Sequence, residues 1–128
     1  MYKINHIHIK SSDPEKDANW FVGAFNFRII NDEVRAVGDR FISCESEDGF
    51  RVNISGERTS EKLGPSDADP HYGLEHFGLD SKNIEADISR LESLGASLAE
   101  GPIEQPGMKI AFLKTPGNVR VELIQKES

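Results

Sequence analysis

The chain has 128 residues and a formal net charge of −7, from 22 acidic and 15 basic side chains. This length fits one domain with a core of its own, and the acidity argues against nucleic acid or an anionic membrane as a partner. The single cysteine, Cys44, excludes an internal disulfide and a cysteine zinc cluster. No apolar run approaches the ~20 residues of a membrane span, and we expect a cytoplasmic protein.

The first strand is the clearest feature of the sequence. In the strand predicted at residues 4–9, the side chains from His6 to Ile9 alternate between polar and apolar, which is typical of a strand with one buried face. Ile7 and Ile9 share the apolar face and are predicted core residues. His6 and His8 therefore share the opposite face.

A helix and three strands are predicted to complete a βαβββ module over residues 1–56. Ser11-Ser12-Asp13-Pro14 is typical of a helix start, and the spacing of Ala18, Phe21 and Phe25 predicts a buried stripe on that helix. The predicted elements are a helix ending near Phe25 and strands near residues 27–34, 40–45 and 50–55.

The second half repeats this plan after a polar linker at residues 57–72. Within the module predicted at residues 73–128, Leu74-Glu75-His76-Phe77-Gly78-Leu79 matches the first strand, with Phe77 and Leu79 as core and His76 on the other face. Asn83 is typical of a helix N-cap. The predicted elements after it are a helix ending before Gly95 and strands near residues 97–100, 109–114 and 119–125.

The two modules also end alike. Arg51-Val52-Asn53 matches Arg120-Val121-Glu122, and His6 precedes Asn53 by 47 positions where His76 precedes Glu122 by 46. Such agreement indicates a duplicated module. Strand alternation places Val121 and Leu123 in the core, and it places the arginines, Asn53 and Glu122 on the same face as the histidines.

Two imidazoles and one carboxylate form a ligand set for a divalent transition metal. If the sheets of the two modules curl toward each other, His6, His76 and Glu122 meet in one cleft, with Asn53 as a fourth group. A nitrogen and oxygen set without thiolate suits Zn, Ni, Mn or Fe(II), and it leaves coordination positions open for substrate.

In this order and spacing, these features resemble the vicinal oxygen chelate superfamily, which contains glyoxalases, bleomycin-resistance proteins and dioxygenases. The resemblance extends from Ile4 to Gln125 and is most specific at His6, at His76 and at residues 116–123. It implies an α+β fold, a single domain over residues 1–128 whose two tandem βαβββ modules form a half-open barrel around a central cleft. It also implies His6, His76 and Glu122 as metal ligands.

The resemblance implies that glyoxalase I has a Glu at the position of Asn53, and this chain departs from that pattern. An amide cannot carry a proton between substrate atoms as a carboxylate can. A second proton acceptor would then have to come from elsewhere, and Glu104, expected in a loop before Met108, is the candidate.

The sequence predicts a metal-dependent enzyme that acts on a small substrate chelated through two oxygens, a lyase or isomerase of the glyoxalase or epimerase type. Alternatives are an extradiol-type Fe(II) dioxygenase and a metal-free antibiotic-sequestering protein of the bleomycin-resistance type. A homodimer is expected, with the site formed within one chain or across the dimer. Cys44 is predicted to be inert. Glu122 is the predicted catalytic residue, and the predicted substrate-binding residues are His8, Arg51, Asn53 and Arg120.

Overall fold

In the computed structural model, which describes residues 1–127, the chain forms two compact units, one over Met1–Gly64 and one that begins at Pro65. The first unit contains β1 (His6–Lys10), α1 (Pro14–Phe25), β2 (Arg28–Val34), β3 (Arg40–Glu45) and β4 (Arg51–Ser55). The second contains β5 (Phe77–Asp80), α2 (Ile84–Ser93), β6 (Ser97–Gln105), β7 (Met108–Lys114) and β8 (Arg120–Lys126). Within the described chain, neither helix has the length and apolar character needed to cross a bilayer.

Each unit is a βαβββ module with one mixed four-stranded sheet. The strand order is β1-β4-β3-β2 in the first sheet and β5-β8-β7-β6 in the second. The first and last strands of each module pair in parallel, and the other pairs are antiparallel. The predicted α+β fold of two tandem modules is confirmed.

The internal repeat extends to the register of the parallel strands. Ile7 pairs with Val52 in the first unit, and the matching residues Phe77 and Val121 pair in the second. One step further along, His8 lies opposite Asn53 just as Gly78 lies opposite Glu122. Register decides which side chains share a face. Asn53 and Glu122 therefore lie at matching positions, on the same face of their two sheets.

The helix starts are also copies of each other, 70 positions apart. Asp13 caps α1 by accepting a hydrogen bond from the backbone N–H of Lys16 at 3.2 Å, and Asn83 caps α2 through Ala86 at 3.1 Å. In front of each cap a serine hydroxyl donates to an aspartate of the first helical turn, from Ser11 to Asp17 and from Ser81 to Asp87, both at 2.5 Å. These bonds satisfy free groups at each helix start.

In each unit the helix covers one face of the sheet, and the core of that unit lies between the helix and the sheet. The buried apolar residues of the first unit include Ala18, Phe21, Ile42, Cys44, Val52 and Ile54; those of the second include Ile84, Ile88, Leu91, Leu113, Val121 and Leu123. Since side chains alternate along a strand, the neighbours of these strand residues point to the other face of each sheet, the open face. The predicted histidine, arginine, Asn53 and Glu122 positions belong to it.

The core prediction is confirmed for Val121 and Leu123 and wrong for the first strand of each module. Ile7, Ile9, Phe77 and Leu79 are only half-buried. The reason is topological, because β1 and β5 are the edge strands of their sheets. An edge strand has a neighbouring strand on one side only, and the helix buries less of it than of the central strands.

Strand β6 is longer than predicted. The sequence Gly101-Pro102 favours an end near Glu100, but the strand continues to Gln105. Its pairing with β7 shifts register between Leu98 and Glu100 and again before Ile103. Such irregularities let a strand accommodate residues that a regular ladder excludes.

Candidate functional site

The open face of the second unit brings two predicted ligands together. The Nε2 atom of His76 lies 3.6 Å from Oε1 of Glu122. This distance exceeds a hydrogen bond but is close to that between two donors on one metal, since bonds of about 2.0–2.2 Å place such donors roughly 3.0–3.5 Å apart. The side chains of His76 and Glu122 are 30 % and 16 % exposed, so a small ion can reach both.

The surroundings hold the His76 ring while leaving Glu122 accessible. Phe112 packs edge-on against that ring, with centroids 5.1 Å apart. Beside Glu122, across the parallel strand pair, stands Gly78, where an added Cβ would lie 3.4 Å from the Glu122 carboxylate. The same Cβ would also lie 3.4 Å from Cδ1 of Ile124, so a side chain at position 78 would pack against both residues.

Arg120, a predicted substrate-binding residue, is buried in a network of its own. Its side chain is 4 % exposed, and its Nη1 donates to the carbonyl of Ala68 at 3.1 Å. Its guanidinium lies 4.6 Å above the Phe112 ring, with Nε 3.2 Å from Glu75 and Nη2 3.6 Å from Glu100. The role of Arg120 toward substrate stays a prediction. Glu75 and Glu100 were missed, although Glu75 directly precedes His76 in the sequence.

On the open face of the first unit, the two histidines have different environments. His6 is exposed, and its Nδ1 lies 2.7 Å from Oδ1 of Asn5. His8 holds its Nε2 2.7 Å from the hydroxyl of Ser55 and packs edge-on against Phe41 at 5.3 Å. Burial lowers the pKa of His8, and the nearby positive charge of Lys10 lowers it further.

Two buried polar atoms on this face, in Arg51 and Asn53, have no hydrogen-bond partner among the described residues. Asn53 is 8 % exposed, and among the described residues neither its Oδ1 nor the Nε of Arg51 has a hydrogen-bond partner, although both atoms are buried. A buried polar atom without a partner costs about 1–3 kcal/mol. A ligand group that paired with either atom would recover part of that cost.

Phe41 belongs to a further cluster that sequence reasoning missed. The Arg35 guanidinium lies 4.3 Å over the Phe41 ring and donates two hydrogen bonds, at 2.9 and 2.6 Å, to the carboxylate of Asp39. These bonds hold the pKa of Asp39 below its ordinary value. The i, i+4 spacing of Arg35 and Asp39 around the turn glycine Gly38 is the only signal that the sequence contained.

Two further sequence expectations concern reactive groups. Cys44 is buried, which raises the pKa of its thiol to about 11, in line with the predicted inert residue.

The prediction that Glu104 lies in a loop is wrong, since it is part of β6 and pairs with Lys109. Lys109 bonds to Glu85 of α2, so Glu104 lies on the helix-covered face, away from Glu122 in its own module.

Across residues 1–127, no three His, Cys, Asp or Glu side chains are grouped closely enough to hold a metal. The second unit by itself brings together two donors, on His76 and Glu122, and His6 belongs to the first unit. Within the second unit, the donor chemistry and the 3.6 Å separation fit a metal held at one side by two protein ligands.

The fold and these strand positions define the two-module vicinal oxygen chelate class. The sequence matches the Glyoxalase/Bleomycin resistance protein/Dioxygenase superfamily over residues 3–123, and the chain belongs to that family. It is 26 % identical to a lactoylglutathione lyase of Schizosaccharomyces pombe in an alignment that covers 98 % of this chain and 48 % of the relative. The chain thus spans about half the length of this curated relative.

Solved structures with the same fold have low sequence identity to the chain. A glyoxalase family protein from Bacillus cereus superimposes with a TM-score of 0.89 at 13 % identity, covering 100 % of this chain and 96 % of that one. The fosfomycin resistance protein FosX from Listeria monocytogenes, solved with Mn(II) and sulfate, gives a TM-score of 0.74 at 15 % identity, covering 99 % and 94 %. These similarities establish the fold.

Proposed function

We propose that the protein is a metal-dependent enzyme that acts on a small substrate bound through two oxygens, a lyase or isomerase of the glyoxalase type. The observation that carries this proposal is the His76–Glu122 pair, with donor atoms 3.6 Å apart. His6, at the matching position of the first module, is the proposed third ligand, supplied by the same chain or by a second copy in a homodimer.

The relatives support a metal and a small substrate. The S. pombe relative is a lactoylglutathione lyase, and FosX was solved with Mn(II). For this chain, Zn, Ni, Mn and Fe(II) all suit two imidazoles and a carboxylate. When bound, such an ion supplies a Lewis acid for an oxyanion of the substrate.

The protein side chains have separate roles in this proposal. Glu122 would hold the ion together with His76, and its carboxylate is the proposed acceptor of a substrate proton. The unpaired Oδ1 of Asn53 can accept a hydrogen bond from a substrate hydroxyl, and the unpaired Nε of Arg51 can donate one to a substrate carbonyl. His8, already bonded to Ser55, can turn its other ring nitrogen to the substrate. Arg120 is the proposed contact for an anionic substrate group, through its remaining donor capacity.

Metal content is the first test of the proposal. Protein purified without chelator is expected to contain nearly one divalent metal per chain. Adding Ni, Mn, Zn or Fe(II) to stripped protein should raise its thermal midpoint, because a ligand at 100 times its Kd stabilises the folded state by about 2.7 kcal/mol. Elemental analysis and thermal unfolding measure both. Protein with no metal and no stabilisation by any of the four ions would contradict the proposal and favour sequestration of a small molecule.

Asn53→Glu is expected to separate isomerase from oxygenase chemistry. An added anionic oxygen should tighten metal binding, and a carboxylate at this position gives the second proton acceptor that two-base isomerisation requires. Formation of lactoylglutathione should therefore start or rise. In an oxygenase the same carboxylate would occupy a coordination position that substrate or O₂ needs, and turnover should fall.

Asn53→Gln is the matched control, because it adds the same methylene without the charge at a position that is only 8 % exposed. Metal affinity by competition with a chelator and turnover should be measured on both variants. Tighter metal binding with lost turnover would count against the isomerase. Equal metal affinity in Asn53→Glu and in the unmodified protein would remove Asn53 from the site.

A further inference from the structure

We propose that Glu75 is a positioning residue, whose carboxylate accepts a hydrogen bond from the Nδ1–H group of His76 and thereby directs the Nε2 lone pair of His76 toward Glu122. The inference rests on the proposed metal role of His76. It assigns a task to a carboxylate outside the predicted ligand set, one position before a ligand in the sequence.

The two nitrogens of His76 face different carboxylates. Nε2 lies 3.6 Å from Glu122, and Nδ1 lies 3.8 Å from Oε1 of Glu75. Among the described residues, Nδ1 is buried without a hydrogen-bond partner. A buried nitrogen that carries a proton needs an acceptor, and a small rotation of the Glu75 side chain would supply one. A protonated Nδ1 leaves Nε2 as the nitrogen that can bind a metal.

The first module repeats this arrangement. Asn5 precedes His6 as Glu75 precedes His76, with 70 positions between the matching residues. Nδ1 of His6 lies 2.7 Å from the side-chain oxygen of Asn5. Both predicted metal-binding histidines thus have a side-chain oxygen of the preceding residue on the Nδ1 side.

This geometry depends on where the strands begin. Consecutive residues inside a strand point to opposite faces, so a residue cannot normally reach the ring of its neighbour. Strand β5 begins at Phe77 and β1 at His6, which places Glu75 and Asn5 before the regular strands. Their side chains are therefore able to turn back toward the histidines.

The Arg120 guanidinium lies beside the Glu75 carboxylate as an ion pair. Its Nε lies 3.2 Å from the same Oε1 atom that faces His76, and its side chain is 4 % exposed and bonded to the carbonyl of Ala68. A neighbouring guanidinium attracts the carboxylate and limits the positions that the Glu75 side chain can take. Carboxylates that accept the second N–H of a metal-binding histidine set its tautomer and ring orientation, and removing them commonly weakens metal binding by about 10–100-fold.

The tautomer of His76 in metal-free protein is the direct test. Nitrogen-15 NMR at a pH where imidazole is neutral should show His76 protonated on Nδ1 in the unmodified protein. Glu75→Ala should shift the population toward the Nε2-protonated form and weaken Zn²⁺ binding by about 10–100-fold. Glu75→Gln retains a carbonyl acceptor and should retain the Nδ1 tautomer. Glu100→Ala is the matched control, since Glu100 also contacts Arg120, at 3.6 Å, but is not the carboxylate that faces His76.

Protonation of His76 on Nε2 in the unmodified protein would overturn the inference, and this measurement needs no variant to fold. An unchanged tautomer in Glu75→Ala, or an equal shift in Glu100→Ala, would overturn it as well. Because the tautomer is measured without metal, it separates this inference from the proposed function. Protein that binds none of Zn, Ni, Mn and Fe(II) yet shows the Glu75-dependent tautomer would reject the enzyme proposal and retain the effect of Glu75 on the His76 ring.

Discussion

Replacing His76 by alanine should reduce metal affinity by more than about 100-fold, beyond the 10–100-fold typical of groups that only support a ligand. The change removes one of the two donors that lie 3.6 Å apart in the second unit. Since the His76 side chain is 30 % exposed, the variant should remain folded. Affinity is measured by competition with a chelator, and folding by circular dichroism and thermal unfolding of the metal-free protein.

His71 offers a matched control for this change. It is exposed, and its Nδ1 contacts the backbone carbonyl of Tyr72 at 2.8 Å, outside the predicted ligand set. His71→Ala should bind metal as the unmodified protein does. If both histidine variants bound metal equally well, the ion would have to be held elsewhere. Glu122→Ala should match His76→Ala in its loss of metal, because the two donors act on the same ion.

Much of the fold was predictable because strand alternation and helix capping are local. The repeated strand at His6 and His76, the caps at Asp13 and Asn83, and the matched endings at Asn53 and Glu122 all follow from short patterns of apolar and polar residues. Nearly equal spacing within the two modules, 47 and 46 positions, accompanies the same register in both sheets. These features depend on neighbours within a few residues or on the repeat itself.

The parts that sequence reasoning missed depend on contacts between distant residues. Alternation shows that Ile7 and Phe77 face the helix side, but their half-burial follows from β1 and β5 lying at sheet edges. Glu75 and Arg120 are 45 positions apart, and only the folded sheet brings the carboxylate within 3.2 Å of the guanidinium. A sequence pattern specifies a face, while a side-chain network requires the actual rotamers.

The same difference between central and edge positions predicts unequal costs for two phenylalanines. Phe21 is 1 % exposed on α1 and stacks on Phe27 with ring centroids 5.5 Å apart. Phe21→Ala should lower the free energy of unfolding by about 3–5 kcal/mol, the usual range for a buried phenylalanine. Phe77→Ala should cost clearly less than this range, because Phe77 on edge strand β5 is half-buried and loses less apolar contact on truncation.

Urea titration followed by circular dichroism measures both costs, and fluorescence of Trp20, 5.4 Å from Phe21, reports on the first unit. A lower midpoint with an unchanged slope indicates lost stability rather than a changed unfolded state. An equal or larger loss for Phe77→Ala would mean that β5 is covered in solution by something beyond its own module. In that case Ile7 and Ile9, in the matching edge strand, should show the same excess cost when truncated, since the repeat gives β1 the same place in its sheet.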